Sequence, residues 1–251
     1  MEFGGDRRLH TANLWDERRI SGFFPQFPDR DLVRNIQGRV REIVDISTPV
    51  DADCVRCVAG ADAAYTGTHI FAGVVVMSFP SLALLERVCE VQPVTFPYIP
   101  GLLAFREGPA IASAFGKLSR QADVIFINGH GYSHPTRAGL ASHVGVALDI
   151  PAIGIAKSSL VGTAVEPERR EGSQVPLTEA GEVIGMAVRT RSGSKPIYVS
   201  AGYRIDLATA VSLTLAAIRH GRFPEPLRCA DLLAKMCLRN TTTSSCPQKK
   251  P

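Results

Sequence analysis

Three polar residues in apolar surroundings are the candidates for chemistry in this sequence. Asp62 lies inside the strand-like segment VAGADAAY, Glu107 lies in AFREGPA near the start of a predicted helix, and Asn128 ends the apolar run VIFI. Metal-dependent hydrolysis of a phosphodiester needs carboxylates that converge from separate strand and helix ends. Each residue taken alone also fits a structural role, as a strand-end Asp, a Glu that complements the helix dipole and a turn-forming Asn before Gly.

Basic and aromatic side chains lie close to these residues along the chain. His134 lies in the glycine-containing loop NGHGYSHPTRAG, and Lys157 follows the apolar run AIGIA. Lys157 fits either a phosphate contact or an ordinary surface lysine. In PYIPG two prolines fix the backbone around Tyr98 and Ile99, so Tyr98 either forms a rigid wedge between bases or packs against its neighbours.

The elements that would position these residues follow from hydrophobic periodicity. Apolar residues at helical spacing predict an outer helix within 31–45. Strand-like runs at 54–65, 69–79 and 83–94, joined by short turns, predict an antiparallel meander. Over 106–156 a helix, a strand, a helix and a strand alternate, which is the βαβ pattern. The sequence therefore predicts an α/β fold with a mixed β-sheet and helices on its faces.

The rest of the chain completes a single predicted domain, residues 1–240. A hairpin is expected over 182–202, followed by helices over 206–220 and 227–238. The polar segment 241–251 is expected to be a disordered tail. A length of 251 residues suits one domain with one substantial core.

Composition and charge narrow the class of protein. Hydrophobic residues make up 45% and charged residues 21% of the chain, which is ordinary for a globular protein and argues against disorder. The formal charge of +4 permits a polyanionic partner without demanding one. The six cysteines form no obvious disulfide framework, and neither a signal peptide nor a membrane span is apparent. We expect a monomeric, soluble protein of the cytoplasm, and also of the nucleus if the source is eukaryotic.

Four long motifs, in the same order and at the same spacing, resemble the endonuclease V family of inosine-directed nucleases. They are VAGADAAY, PYIPGLLAFREGPA, NGHGYSHPTRAGLASHVG and IPAIGIAKSSLVG. The resemblance implies an RNase H-like mixed sheet and an endonuclease that requires Mg²⁺, with Mn²⁺ as a substitute. It implies cleavage of the second phosphodiester bond 3′ to inosine, in single- or double-stranded DNA or RNA, leaving a 3′-hydroxyl and a 5′-phosphate.

The resemblance also implies a role for individual residues. Asp62, Glu107 and Asn128 would bind the metal ion, and His134 and Lys157 would lie near the scissile phosphate. The wedge would consist of Pro97, Tyr98, Ile99 and Pro100. The pocket for a flipped hypoxanthine would be lined by Gly101, Leu103, Gly129, Gly131, Gly139 and Leu140, because glycine backbone allows a close approach.

Two positions depart from the family pattern, with Asn128 in place of Asp and Tyr203 in place of a catalytic His. Asn128 removes one negative charge from the implied metal site, and a tyrosine, with a pKa of about 10, is a poor base at neutral pH. Because single electrostatic groups in active sites contribute about 10²–10³ in rate, we expect reduced activity. The alternatives are an inosine-binding protein that has lost cleavage and a nuclease with a different metal or substrate preference. The sequence leaves the choice of DNA or RNA open.

Overall fold

Eight β-strands form one sheet in the computed structural model, which describes residues 17–25 and 29–244. The strands are β1 (Cys57–Tyr65), β2 (His69–Ser78), β3 (Leu84–Pro93), β4 (Val124–Asn128), β5 (Ala152–Ala156), β6 (Gln174–Glu179), β7 (Glu182–Val188) and β8 (Ile197–Tyr203). The helices are α1 (Glu17–Phe23), α2 (Arg30–Ile43), α3 (Leu103–Gly116), α4 (Leu140–Leu148), α5 (Leu207–Ala216) and α6 (Glu225–Ser244), with a 3₁₀ turn at Ala52–Cys54.

The sheet combines an antiparallel meander with parallel strands, which confirms the predicted fold class. Its order is β3-β2-β1-β4-β5-β8-β7-β6. β1, β2 and β3 pair in antiparallel fashion, whereas β4 pairs in parallel with both β1 and β5. β8, β7 and β6 continue the sheet in antiparallel pairs. Since parallel neighbours run in the same direction, the carboxyl ends of β1, β4 and β5 lie at one edge of the sheet.

Alternating side chains of the strands pack into two hydrophobic cores, one on each face of the sheet. Ile125 and Ile127 of β4 face α1, α2, α3 and α4, whereas Val124 and Phe126 face α5 and α6. All four side chains are fully buried. Burial on both faces explains the uninterrupted apolar run of this strand. Each such side chain contributes about 1.5–3 kcal/mol, so β4 is anchored from both sides.

Two glycines let helix α6 lie directly against the sheet. A Cβ at Gly60 of β1 would come within 2.3 Å of the Pro226 carbonyl, and a Cβ at Gly73 of β2 would come within 2.5 Å of Ala230 O. Glycine in a strand often marks such a close backbone approach. Gly73 is the register partner of Asp62, so this packing places α6 beside Asp62.

Strand β6 and helix α1 were not predicted from the sequence. β6 contains Pro176, which argues against a strand because proline has no N–H to donate. β6 is the last strand in the sheet order, and an edge strand tolerates the missing donor. The hairpin predicted over 182–202 is confirmed as β7 and β8, and β6 extends it to three strands.

The two C-terminal helices differ in extent from the prediction. α5 ends at Ala216 rather than at residue 220, because the chain turns back after it. α6 reaches Ser244, so its last turn enters the segment predicted as a disordered tail. Residues 245–251, the remainder of that segment, lie outside the described residues.

The described residues also bear on the cysteines and on a membrane span. Cys54, Cys57, Cys89, Cys229 and Cys237 are free thiols, which agrees with the absence of a disulfide framework in the sequence. Within residues 17–25 and 29–244, no helix has the length and apolar character needed to cross a membrane.

Candidate active site

The carboxyl ends of β1, β4 and β5 open into a cleft of about 420 Å³. β1 pairs with β4 through Ala61 and Ile127, so the next residues, Asp62 and Asn128, reach the cleft at one level. Helix α3, which packs on one face of the sheet, supplies Glu107 to the same cleft. The structure therefore brings together the three residues proposed as metal ligands.

Asp62 is a buried carboxylate that the neighbouring strand helps to satisfy. Its Oδ1 accepts hydrogen bonds from Asn128 Nδ2 at 2.9 Å and from the Ala63 backbone N–H at 2.8 Å. Burial raises the pKa of Asp62 to about 6, although both hydrogen bonds act in the opposite direction. The cost of desolvation therefore exceeds what these two donors recover.

Glu107 is also a buried carboxylate, but unlike Asp62 it has no hydrogen bond that stabilises its charged form among the described residues. Its pKa is raised well above the usual value, first by burial and then by the negative charge of Asp62. No hydrogen bond from the described part of the chain opposes this shift. Two buried carboxylates that repel each other are stable in their charged form only if a cation offsets the repulsion.

The donor set of Asp62, Glu107 and Asn128 fits a hard divalent cation. Two carboxylates and one amide offer oxygen atoms, the ligands that Mg²⁺ and related ions prefer. The repulsion between Asp62 and Glu107 is what such an ion relieves. Among the described residues no group of three His, Cys, Asp or Glu is arranged for a metal, and the third member of the set proposed here is an amide. Asn128 must turn its oxygen inward to take part, since its Nδ2 faces Asp62.

Sequence reasoning missed one residue near this site. Asp231 of α6 raises the pKa of Asp62 by its negative charge and forms an ion pair of 2.7 Å with Lys235. An Asp among apolar neighbours, as in CADLLAK, is the same signal that singled out Asp62. His130 lines the cleft, where burial lowers its pKa to about 4, and its Nδ1 lies 3.0 Å from Ser133 Oγ.

Lys157 lies in the cleft directly after β5. The resemblance implies a role near the reacting phosphate for this residue. Its positive charge lowers the pKa of Asp62, although this effect is smaller than that of burial. Its Nζ lies 5.9 Å from the centre of the Phe223 ring. A lysine in this position supplies a positive charge beside two buried carboxylates.

The loop at residues 97–101 presents an aromatic side chain to solvent at the mouth of the cleft. Tyr98 is 68% exposed and Ile99 is 41% exposed. This exposure favours the wedge interpretation of Tyr98 over packing against its neighbours. Gly101 has a φ of +82°, a backbone conformation that residues with a side chain rarely adopt. Its carbonyl accepts a hydrogen bond of 3.0 Å from Gln37 Nε2 of α2.

His134 lies in the cleft, but both of its ring nitrogens are engaged. Nε2 donates to the Gly101 carbonyl at 2.9 Å, and Nδ1 accepts from the Thr136 backbone N–H at 3.2 Å. Burial lowers the pKa of His134 below the usual value, so the ring is neutral at pH 7. The arrangement indicates that His134 holds the loop of Tyr98 against the loop that follows β4.

Of the residues predicted to form the wedge and the base pocket, most line the cleft. Those in the cleft are Tyr98, Ile99, Pro100, Gly101, Leu103, Gly129 and Leu140. The structure does not place Pro97, Gly131 or Gly139 there. Pro97 faces a separate groove beside α2. Gly131 and Gly139 serve close packing, because a Cβ on either would lie 2.3 Å from a backbone oxygen, that of Ala201 or of His130.

The structure does not bring Tyr203 to the cleft, contrary to its predicted catalytic role. Tyr203 pairs with Ala152 at the start of β5, whereas the cleft lies at the other end, after Ala156. Four residues of strand separate the two levels by about 13 Å. The Tyr203 hydroxyl donates to Asp149 Oδ1 at 2.9 Å, and Arg204 pairs with the same carboxylate. Because β5 and β8 are antiparallel, Tyr203 lies beside the amino-terminal end of β5, whereas the cleft lies at its carboxyl end.

The mixed sheet, with buried carboxylates at the ends of its parallel strands and a lysine beside them, defines a nuclease of the RNase H-like class that acts on phosphodiester bonds. The chain belongs to the endonuclease V family, because the family model described as Endonuclease V matches residues 38–232. The endonuclease V of Roseiflexus sp. strain RS-1 is 47% identical over 180 residues, which cover 72% of this chain and 81% of that relative.

Solved structures of the same family share the fold. Endonuclease V from Streptomyces avermitilis superposes with a TM-score of 0.83 at 36% identity, covering 87% of this chain and 96% of that one. Endonuclease V from Ciona intestinalis, solved in complex with a 24mer DNA containing an inosine followed by a ribo-adenosine, has a TM-score of 0.72 at 25% identity. That alignment covers 85% of this chain and all of the other.

Proposed function

We propose that the chain is a Mg²⁺-dependent endonuclease that cuts inosine-containing DNA or RNA at the second phosphodiester bond 3′ to inosine, with Mn²⁺ as a substitute. The observation that carries this proposal is the pair of buried carboxylates, Asp62 and Glu107, in a cleft beside the exposed Tyr98. The inosine-containing DNA bound to the Ciona relative supports inosine as the recognised base.

The cleft has the features expected for a flipped base. Tyr98 and Ile99 stand exposed on a loop that two prolines stiffen, so they can fill the gap that the base leaves in a strand. Leu103, Gly129 and Leu140 line the cleft and would contact the flipped base. Hypoxanthine presents an acceptor and an N–H donor where adenine presents the reverse pattern. Backbone groups arranged to hydrogen-bond hypoxanthine would stay unpaired with adenine, which is a strong basis for rejecting adenine.

The chain's own groups prepare the phosphate for hydrolysis. Asp62 and Glu107 would hold the ion, with the Asn128 oxygen as a third ligand, and a bound ion supplies charge stabilisation and an activated water. Lys157 places a positive charge beside the same carboxylates, where it offsets charge on the phosphate oxygens. Breaking the P–O3′ bond leaves the 3′-hydroxyl and the 5′-phosphate.

A reduced cleavage rate follows from Asn128 alone. Its amide lowers the negative charge available to the ion and already donates to Asp62. We attribute none of this reduction to Tyr203, because it lies at the end of the sheet opposite to the cleft. The hydrogen bond from Asn128 to Asp62 also favours a second candidate function, that of a protein that binds inosine-containing strands without cutting them.

Nicking assays separate the two candidates. Purified protein with Mg²⁺ or Mn²⁺ should nick an inosine-containing strand more than its adenosine-containing counterpart. Glu107→Gln should abolish nicking, because it removes a carboxylate from the proposed metal site, while inosine-selective binding is retained. The matched control is Glu42→Gln, which alters an exposed residue of α2 and should leave the rate unchanged. Selective binding without nicking under either metal would contradict the enzyme and support the binder.

A further inference from the structure

The excess positive charge of the chain is concentrated in three short segments far apart in sequence. Segments 166–172, 189–196 and 219–223 contain seven Lys or Arg residues and three Glu residues, a net charge of +4. The whole chain has the same formal net charge of +4. The remaining residues carry equal numbers of basic and acidic side chains, so these segments account for the net positive charge of the chain.

The three segments are joined into one surface by hydrogen bonds. Gly193 N donates to Arg169 O at 3.1 Å, which connects the first two segments. Thr190 Oγ1 donates to Arg222 O at 2.7 Å, and Arg222 Nη1 donates to Lys195 O at 3.2 Å, which connects the second and third. The cations they carry consequently lie on a single face.

Buried Arg189 holds two of these segments together from below. It is 2% exposed and donates to the carbonyl of Pro167 at 2.7 Å and, from the same nitrogen, to Glu166 Oε1 at 2.9 Å. It also donates to the carbonyls of Glu168 and Ser194. A buried guanidinium with its donors so engaged fixes the loops, and the surrounding cations are left to face solvent.

We name the remaining six cations the basic surface. It consists of Arg169, Arg170, Arg191, Lys195, Arg219 and Arg222. The first five are exposed, and Arg222 is half-buried. Among the seven cations of the three segments, the described residues provide a carboxylate partner within 4 Å only for Arg189. The charge of the basic surface is therefore not cancelled by acidic side chains in direct contact.

The basic surface adjoins the candidate active site. β8 runs antiparallel to β5, and Ala156 pairs with Tyr198, so the turn before β8 projects past the same sheet edge as Lys157. The Phe223 ring lies between the two sites, 5.9 Å from Lys157 Nζ and 5.0 Å from the guanidinium carbon of Arg222. The basic surface therefore lies next to the cleft on the side of Lys157.

We propose that the basic surface binds the sugar-phosphate backbone of the nucleic acid beyond the nucleotides held in the cleft. This inference rests on the proposed function only in requiring a nucleic acid in the cleft. Phosphate contacts by Arg and Lys set affinity and register but read no sequence. The basic surface therefore strengthens binding to inosine-containing and inosine-free strands by the same factor.

The salt dependence of binding tests this proposal. Arg191→Ala combined with Lys195→Ala removes two charges from the basic surface. The matched control, Arg87→Ala combined with Arg120→Ala, removes two exposed charges outside it, on β3 and in the turn before β4. Binding is measured without divalent metal, so that the strand stays intact. The slope of log Kobs against log salt concentration should decrease in magnitude by about 1.4 for a single strand or about 1.8 for a duplex in the first variant only.

Further measurements keep the outcome unambiguous. Arg169→Ala combined with Arg170→Ala serves as a second variant if the first does not fold, which thermal melting reveals. The affinity gained by lengthening the oligonucleotide beyond the cleft should shrink in both variants. Slopes equal to that of the control would overturn the proposal and would indicate another partner, such as an acidic protein. Absence of inosine selectivity in the unaltered chain would contradict the proposed function instead, because the slope is measurable with inosine-free strands.

Discussion

Asn128 links the two strands that carry the candidate metal ligands. Its Nδ2 donates to Asp62 Oδ1 at 2.9 Å, which a carboxylate at this position could not do. Hydrogen bonds to charged groups contribute about 1.5–3 kcal/mol. The amide therefore stabilises the metal-free site while it lowers the charge available to a cation.

Asn128→Asp should make the stability of the protein depend on a divalent cation. Without metal, a third, half-buried carboxylate beside Asp62 and Glu107 adds repulsion and removes a hydrogen bond, so the melting temperature should fall by several degrees, as expected for about 1–3 kcal/mol. With Mg²⁺ or Mn²⁺ the variant should recover more stability than the unaltered chain. Thermal melting with and without metal measures both effects.

Asn128→Ala is the control for this comparison. It loses the bond to Asp62 without adding charge, so it should be destabilised without the metal-dependent recovery. An equal gain from Mg²⁺ in the unaltered chain and in Asn128→Asp would contradict the assignment, because the charge at this position would then not limit metal binding.

At the scale of elements, one carbonyl joins helix α2, the Tyr98 loop and the loop after β4. Gly101 O accepts from Gln37 Nε2 at 3.0 Å and from His134 Nε2 at 2.9 Å. Both donors come from residues distant in sequence, and both side chains are buried. The exposed tip of the loop is therefore supported by two buried partners.

His134→Ala should weaken binding of an inosine-containing strand rather than slow cleavage of a bound one. Loss of one hydrogen bond of about 0.5–1.5 kcal/mol corresponds to a dissociation constant about 2- to 12-fold larger. Gln37→Ala, which removes the other donor to Gly101 O, should have a similar effect, and the double variant should lose more than the sum. A slower single-turnover cleavage with unchanged affinity would instead assign His134 to the chemical step.

The sequence predicted the elements whose burial can be read from their own residue pattern. It missed those elements and residues whose role depends on where the folded chain places them. The apolar run ending at Asn128 indicated a buried strand because both of its faces are covered. Pro176 hid β6, since only its position at the sheet edge makes proline acceptable. Tyr203 was assigned to the cleft because motif order does not reveal which end of an antiparallel strand faces the site. Asp231 was missed because an Asp on a helix usually faces solvent.

For the molecule as a whole, His143 connects the first helix to the core. It is fully buried in α4, stacks on Phe24 with ring centres 5.0 Å apart and donates from Nε2 to the Phe23 carbonyl at 2.9 Å. Its Nδ1 is buried without a hydrogen-bond partner in the described part of the chain. Burial lowers the pKa of His143 to about 4, so the folded protein holds this ring neutral.

The free energy of unfolding should depend on pH through His143. Its pKa is lower in the folded chain than in the unfolded chain, so between about pH 6.5 and pH 4 the unfolded chain binds more protons. The stability that His143 contributes is complete above this window and is lost as the pH falls, by about 3 kcal/mol in total. Urea unfolding at a series of pH values measures it.

His143→Gln isolates this effect, because the amide can donate to Phe23 O but does not titrate. The difference in unfolding free energy between the unaltered chain and the variant should decrease as the pH falls through the window. His143→Phe, which keeps a ring against Phe24, should show the same trend. A difference that stays constant with pH would show that the folded protein does not exclude the proton.

The shared carbonyl of Gly101 has a consequence for where the functional unit begins. The family match starts at residue 38, one residue after Gln37, yet Gln37 is one of the two donors that support the Tyr98 loop. A fragment that begins at residue 38 would keep every residue that lines the cleft, but it would lose Gln37, one of the two donors to Gly101 O. Helix α2 is thus part of the structure that supports the Tyr98 loop, although only its residues from 38 onward fall within the family match.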